Sequence, residues 1–197
     1  MIAAVVAAPA LAQDATFGAA QSRASKDKAR FDPTFKKYSK RFFGVGFDWR
    51  YFKAQAMAES ELDPNSVSSV GARGLMQLMP STFGAISSKR PEFTSIDDPE
   101  WNIAAGILHD RYLFKLWADS LPEEQLPRFA FGSYNAGENT IKRAMTKARV
   151  DQLDHHAWEN IVKVAPSVPR WRYRETVDYV RTIDANYRKL VAKSGAQ

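Results

Sequence analysis

A chain of 197 residues with 45% hydrophobic and 25% charged content is long enough for one hydrophobic core and ordinary for a soluble globular domain. It contains no cysteine, which excludes disulfides, thiol catalysis, cysteine-based metal sites and lipidation at a cysteine. Residues 23–41 carry eight basic side chains (Arg23, Lys26, Lys28, Arg30, Lys36, Lys37, Lys40, Arg41) against Asp27 and Asp32, which equals the whole net charge of +6 and leaves the remainder nearly neutral.

Residues 1–12 are apolar and uncharged, and they end Ala10-Leu11-Ala12 before Gln13-Asp14, a small-x-small pattern like a signal-peptidase site. The stretch lacks a basic leader and is too short to span a bilayer. It reads as the remnant of an export signal, placing the protein in the periplasm or cell envelope; the alternative is a frayed apolar terminus of a cytoplasmic protein. Residues 13–45 read as a basic arm or linker that could touch an anionic envelope surface. The body has no basic-aromatic repeat and no zinc spacing, so no nucleic-acid partner is expected.

Beyond the arm the pattern is helical almost throughout, and the fold class is mainly α. Asp48 caps a predicted helix running to about Glu59. The run from Asp63 to Gly71 is loop-like by its Pro, Asn, Ser and Gly content. A helix is predicted to begin near Gly74 or Leu75 and to stop before Pro80 or continue weakly from Ser81. Asp98-Pro99 is an N-cap followed by Pro at the first helical position, and Ala105, Leu108, Tyr112 and Leu116 recur beyond it at helical spacing. Pro122 opens a further helix lined by Leu126, Phe129, Ala130 and Ser133 and broken at Gly137. A short helix with Ile141, Ala144 and Ala148 follows. Pro166 and Pro169 mark a loop, and a final helix carries Val177, Val180, Ile183, Tyr187 and Leu190.

Within the first of these helices Phe52, Ala56 and Glu59 share one face at i, i+4 and i+7. A carboxyl on an inward face is costly to ionise, and a raised pKa suits a general acid working near neutrality. The plainer reading is a helix-end Glu that reaches solvent or pairs with Arg50 or Lys53. No GxSxG elbow, phosphate-binding glycine loop or HExxH spacing is present, so no cofactor and no metal are expected.

Four motifs stand in order: Glu59-Ser60; Gly71-Ala72-Arg73-Gly74-Leu75-Met76-Gln77-Leu78-Met79-Pro80; Ser133-Tyr134-Asn135-Ala136-Gly137; and Arg174-Glu175-Thr176-Val177-Asp178-Tyr179-Val180. Together they resemble the catalytic domain of the soluble lytic transglycosylase family, which cleaves bacterial peptidoglycan. The resemblance runs from about Phe47 to Tyr187 and sets the expected domain at residues 46–190, with 191–197 as a tail. It implies a lysozyme-like helical fold with a groove for a glycan strand. Glu59 matches the single catalytic acid/base, and Ser68 a hydroxyl beside it. Met76, Gln77 and Met79 match positions around the groove; Tyr134 and Asn135 match its tyrosine and that residue's neighbour. Glu175 and Tyr179 match the closing motif. The chain departs from the family at Ser133, where Ala is frequent, at Val177, where Arg is frequent, and in a longer segment between Trp158 and Glu175.

A hydrolytic glycosidase usually needs two carboxylates. Here only Glu59 is convincingly placed, since Glu61 and Asp63 fall in or beside a loop. The resemblance supplies the alternative: Glu59 acts first as acid and then as base in a lyase that makes 1,6-anhydro-muramic ends. A muramidase on the same fold and a non-catalytic wall-binding module stay open. The expected partner is a peptidoglycan glycan strand, taken up by a monomer.

Overall fold

The computed structural model describes residues 29–194, and two units divide the chain, Met1–Pro33 and Thr34–Gln197. The predicted export signal lies outside the described residues. Eight α-helices are present among them: α1 (Asp32–Phe43), α2 (Arg50–Ser60), α3 (Pro80–Ser87), α4 (Pro99–Ala118), α5 (Leu126–Ala136), α6 (Glu138–Val150), α7 (Trp158–Val164) and α8 (Tyr173–Ser194). The described residues contain no strand beyond two isolated bridges, Val67 with Arg73 and Arg73 with Leu78. The mainly α class holds.

Several elements differ from the sequence reading. The supposed arm contains α1, which buries Phe35, Tyr38, Ser39 and Phe42 while its lysines stay outside. Aromatic residues at i, i+3 and i+7 outweigh the basic composition, because each ring removed from water contributes about 2 kcal/mol. The predicted helix from Gly74 to Pro80 is absent. Gly74 and Gln77 sit at φ +77° and +43°, so the chain turns back on itself and helix begins only at Pro80. The seven-residue α7 carries no side-chain cap to announce it, and α8 runs through the supposed tail to Ser194.

The Asp98-Pro99 start is as read: the Asp98 carboxylate accepts the amides of Glu100 at 2.8 Å and Trp101 at 3.1 Å. The face of α4 is only partly as read, since Ala105 is fully buried. Ile103, Ile107, Asp110, Leu113 and Trp117 point into the core, whereas Tyr112 is 49% exposed and Leu108 and Leu116 are only partly covered. Alternative stripes on a helix rich in apolar residues are separated by sequence only where a polar face competes.

Helix α2 is the central element. Phe52 and Ala56 are fully buried, Phe52 against Phe43 and Phe47 at 5.0 and 5.3 Å between rings. Helix α8 lies against it. Tyr51 and Tyr187 stack at 3.8 Å, Tyr187 donates to Asp48 at 2.9 Å, and Asn186 donates to the Ala54 carbonyl at 3.3 Å. Helix α5 completes the core around Phe129, Ala130 and Phe131, and ends at Gly137, whose φ of +80° permits the turn into α6.

Candidate active site

Glu59 stands one residue before the end of α2. The helix stops because Glu61 and Leu62 adopt left-handed φ of 54° and 68°, throwing the chain out into the 63–79 loop. Ser60 ties that exit to the returning limb of the loop by donating to the Leu75 carbonyl at 2.9 Å. Asn102 of α4 rivets the loop from below. It accepts the Met76 amide at 2.8 Å and donates to the carbonyls of Arg73 and Ile96, both at 2.9 Å. Gly74 is obligatory there, since a Cβ would lie 2.4 Å from the Asn102 amide nitrogen.

From α8, the Tyr179 hydroxyl donates to Glu59 Oε1 at 2.5 Å. Desolvation pushes the Glu59 carboxyl up to about 7; the Tyr179 hydrogen bond opposes that rise and the charge of Glu175 adds to it. Tyr179 is buried, which holds its hydroxyl well above the usual range, with the neighbouring Glu59 charge acting in the same sense, so it remains a donor. Tyr134 of α5 donates to the Met76 carbonyl at 2.8 Å, clamping the loop over α5.

The remaining expected residues fall into two groups. Glu175 and Asn135 are exposed and line one small cleft of about 200 Å³ with Trp171 and Thr176. There Thr176 donates to Asn135 Oδ1 at 2.7 Å, and Glu175 pairs with Arg172 at 3.1 Å. Met79 is 40% exposed at the start of α3. Three others hold the loop. Ser68 Oγ accepts the Ala72 amide at 3.0 Å, so its hydroxyl proton is left to donate elsewhere. Gln77 spends its amide on the carbonyls of Ser66 and Gly74 at 3.1 and 3.0 Å. Met76 is fully buried against Gly106, so only its backbone borders the site. The resemblance put Met76 around the groove; in the turned-back loop its side chain packs inward together with that of Leu75.

The family model for the transglycosylase SLT domain matches residues 35–156. The chain belongs to that family. The chain is 31% identical over 173 residues to membrane-bound lytic murein transglycosylase F of Shewanella pealeana, covering 82% of this chain and 34% of the relative. It is 32% identical over 155 residues to the protein of that name from Shewanella oneidensis, covering 73% of this chain and 31% of the relative. The chain thus spans about a third of the length of the curated relatives it matches. The 70 kDa soluble lytic transglycosylase of Escherichia coli superposes with a TM-score of 0.61 at 27% identity, over 83% of this chain and 25% of that one. The 70 kDa soluble lytic transglycosylase in complex with bulgecin A superposes with a TM-score of 0.63 at 26% identity, over 83% of this chain and 25% of that one. The match to the family begins at residue 35, inside α1, earlier than the expected boundary at 46.

Two departures of this SLT domain now have local reasons. Ser133 is buried and accepts the Trp117 indole N–H at 3.0 Å, a partner that Ala would not supply. Val177 is buried on the inward face of α8. A cleft of about 730 Å³ runs along α3 and α4 past Ile86, Leu108 and Tyr112, with Lys89, Arg111 and Lys115 at its edge, and Glu59 does not line it. His109 borders both regions, its ring 5.2 Å from that of Tyr134. Among the described residues, Asp154, His155 and His156 bring ligand atoms within 4.8 Å of one another, a grouping the sequence spacing did not suggest. They lie on the turn before α7, where Asp154 Oδ1 already accepts the His156 amide at 2.9 Å.

Sequence reasoning missed Asp110 and Gln55. Both are fully buried, and Gln55 Nε2 donates to Asp110 Oδ1 at 3.2 Å one helical turn from Glu59. The signal was available, since Gln55 and Glu59 are spaced i, i+4 on α2.

Proposed function

We propose that this chain is a peptidoglycan lytic transglycosylase, cleaving the β-1,4 bond between N-acetylmuramic acid and N-acetylglucosamine without consuming water. The observation that carries the reading is Glu59, a carboxyl whose pKa is raised to about 7 and whose Oε1 is fixed by Tyr179 at 2.5 Å. With Oε1 occupied by a donor, the acid's own proton resides on Oε2. Oε2 gives that proton to the glycosidic oxygen as the C1–O bond breaks, and the N-acetyl carbonyl of the muramic sugar shields the cationic C1. The Glu59 carboxylate, stabilised by Tyr179, then accepts the proton of the C6 hydroxyl as that oxygen bonds to C1. Glu59 ends protonated, and the products are a 1,6-anhydro-muramic end and a free 4-hydroxyl.

A pKa near neutrality suits both halves of this cycle. Other carboxylates are poorly disposed to act as nucleophile or to activate water. Asp110 is fully buried, Glu61 and Asp63 are exposed in the loop, and Glu175 is exposed and paired with Arg172. Ser68, with a free hydroxyl proton, would hold the substrate amide, and Tyr134 would present a ring to a sugar face. Asn135, Glu175 and Met79 would border the strand.

The names of the membrane-bound relatives support action at the cell envelope. Residues 1–12 would serve as the export signal, and the basic residues of 13–45 would face an anionic surface. No helix of the described residues is long and apolar enough to cross a membrane. The domain would act as a monomer on a glycan strand, without cofactor. Mass spectrometry of peptidoglycan digested by the purified protein tests the chemistry. Anhydro-muramic ends are expected; reducing ends carrying added water would establish a muramidase instead, and undigested but bound peptidoglycan a binding module.

A further inference from the structure

Gln55 and Asp110 form a buried polar pair with an unfinished hydrogen-bond pattern. Each residue is 0% exposed, and a single bond joins them, from Gln55 Nε2 to Asp110 Oδ1. The two remaining oxygens of the pair, Gln55 Oε1 and Asp110 Oδ2, are buried without a partner. Both are acceptors while Asp110 is ionised, and two orphaned buried acceptors plus a buried charge would be costly. A proton on Asp110 Oδ2 removes the charge and supplies the donor that the amide oxygen lacks.

The surroundings favour that proton. Facing Asp110 are Gln55 and Glu59 of α2, Tyr134 of α5 and Tyr179 of α8. Burial pushes the Asp110 carboxyl well above the usual range, the Glu59 charge pushes the same way, and the Gln55 hydrogen bond opposes both.

We propose that Asp110 is a positioning residue, held as a neutral carboxylic acid against Gln55, which fixes the turn of α2 carrying Glu59 and keeps a second negative charge from beneath it. The role concerns the second half of the proposed reaction. Glu59 must survive there as a carboxylate, and an ionised Asp110 would raise the cost of that state. The proposal rests on Glu59 as the acid/base, but its stability signature does not depend on turnover.

The test compares wild type, Asp110→Asn and Asp110→Leu by thermal unfolding from about pH 4 to pH 8 and by turnover of peptidoglycan over the same range. Asn mimics the neutral acid, with its amide donating to Gln55 Oε1. The native state keeps a proton on Asp110 that the unfolded chain releases above about pH 4, so wild type loses stability as pH rises through that window in addition to the loss from Glu59 that all three proteins share. The Tm of Asp110→Asn should exceed that of wild type by a margin that widens with pH, and its turnover should stay within about twofold with the same alkaline limb. Asp110→Leu, which strands the Gln55 amide, should lose about tenfold in kcat at unchanged KM. A Tm difference that does not vary with pH would overturn the neutral acid. So would an alkaline limb moved to lower pH in Asp110→Asn, because that shift means a real charge had been holding the Glu59 proton. Full turnover in Asp110→Leu would overturn the positioning role. If Leu prevents folding, the Asn comparison decides alone.

Discussion

The Tyr179 hydroxyl and Glu59 Oε1 meet at 2.5 Å although 120 residues separate them in the chain. The contact joins the end of α2 to the second turn of α8, and it depends on the packing that locks these helices further along, through Tyr51 with Tyr187 and Asp48 with Tyr187. It also fixes which oxygen of the acid is free to act. Tyr179 opposes the rise in the Glu59 pKa caused by burial, so the carboxyl is poised by two effects of opposite sign.

Glu59→Gln should lower turnover by about 10²–10⁴-fold or more, as expected for loss of a general acid/base, while leaving binding of glycan fragments within a few-fold. The same variant should be more stable than wild type at neutral pH. The folded pKa is about 7 against an ordinary glutamate value of 4.5, so the native state holds a proton that the unfolded chain releases across that interval. Stability of wild type therefore falls from about pH 4.5 to pH 7, by about 2–3 kcal/mol relative to the Gln variant. Unfolding curves at pH 4.5 and pH 8 check this: equal offsets at both would show that Glu59 is not desolvated.

Tyr179→Phe removes the one group that opposes the rise in the Glu59 pKa. The alkaline limb of kcat/KM should move to higher pH, because a less stabilised carboxylate keeps its proton longer. The maximum rate should fall by about tenfold, in line with about 1.5 kcal/mol for a hydrogen bond to a charged group. A full pH–rate profile distinguishes this from simple damage, which would lower the curve without displacing it.

How much of this was legible beforehand depended on whether a signal was local. The Asp98-Pro99 start, the Gly137 break and the apolar face of α2 rest on short-range capping and periodicity, and they are visible in the chain itself. Orientation within a loop is not local. Met76 and Gln77 stand in the motif beside Met79, yet the left-handed Gln77 and the Asn102 rivet turn the Met76 side chain into the core and spend the Gln77 amide on the loop. Asp110 was hidden because two stripes of α4 were apolar enough to face inward, and the one through Leu108 and Tyr112 is the less covered of the two. In α1, Phe35, Tyr38 and Phe42 carried the helical period throughout, overshadowed by the lysines between them.

Ser133→Ala should cost about 1–3 kcal/mol of stability, because the Trp117 indole N–H would be buried without an acceptor. Turnover per folded molecule should be unchanged, since Ser133 lies beneath Tyr134 in the sequence of α5 and faces Trp117 rather than Glu59. Urea unfolding together with kcat measured on the folded fraction separates the two effects. A selective loss of kcat would place Ser133 in the chemistry instead.

Asn102 offers the strictest test of how the loop is held. Its side chain makes three hydrogen bonds, to the Met76 amide and to the carbonyls of Arg73 and Ile96, at 2.8, 2.9 and 2.9 Å. Asn102→Leu fills similar space but leaves the Met76 amide and the Ile96 carbonyl unpaired and the Arg73 carbonyl with the Leu78 amide alone, at about 1–3 kcal/mol for each unpaired group if no water replaces the lost partner. Gly74→Ala attacks the same contact from the other side, placing a Cβ 2.4 Å from the Asn102 nitrogen at a φ of +77°. Each change alone should free the 63–79 loop, reducing kcat/KM by at least tenfold and raising amide exchange at Met76 and Leu78, whose N–H groups are bonded to Asn102 and the Arg73 carbonyl. Because both substitutions break one shared contact, the double variant should be little worse than either single one. Strict additivity of the two losses would mean that Gly74 and Asn102 stabilise the loop separately.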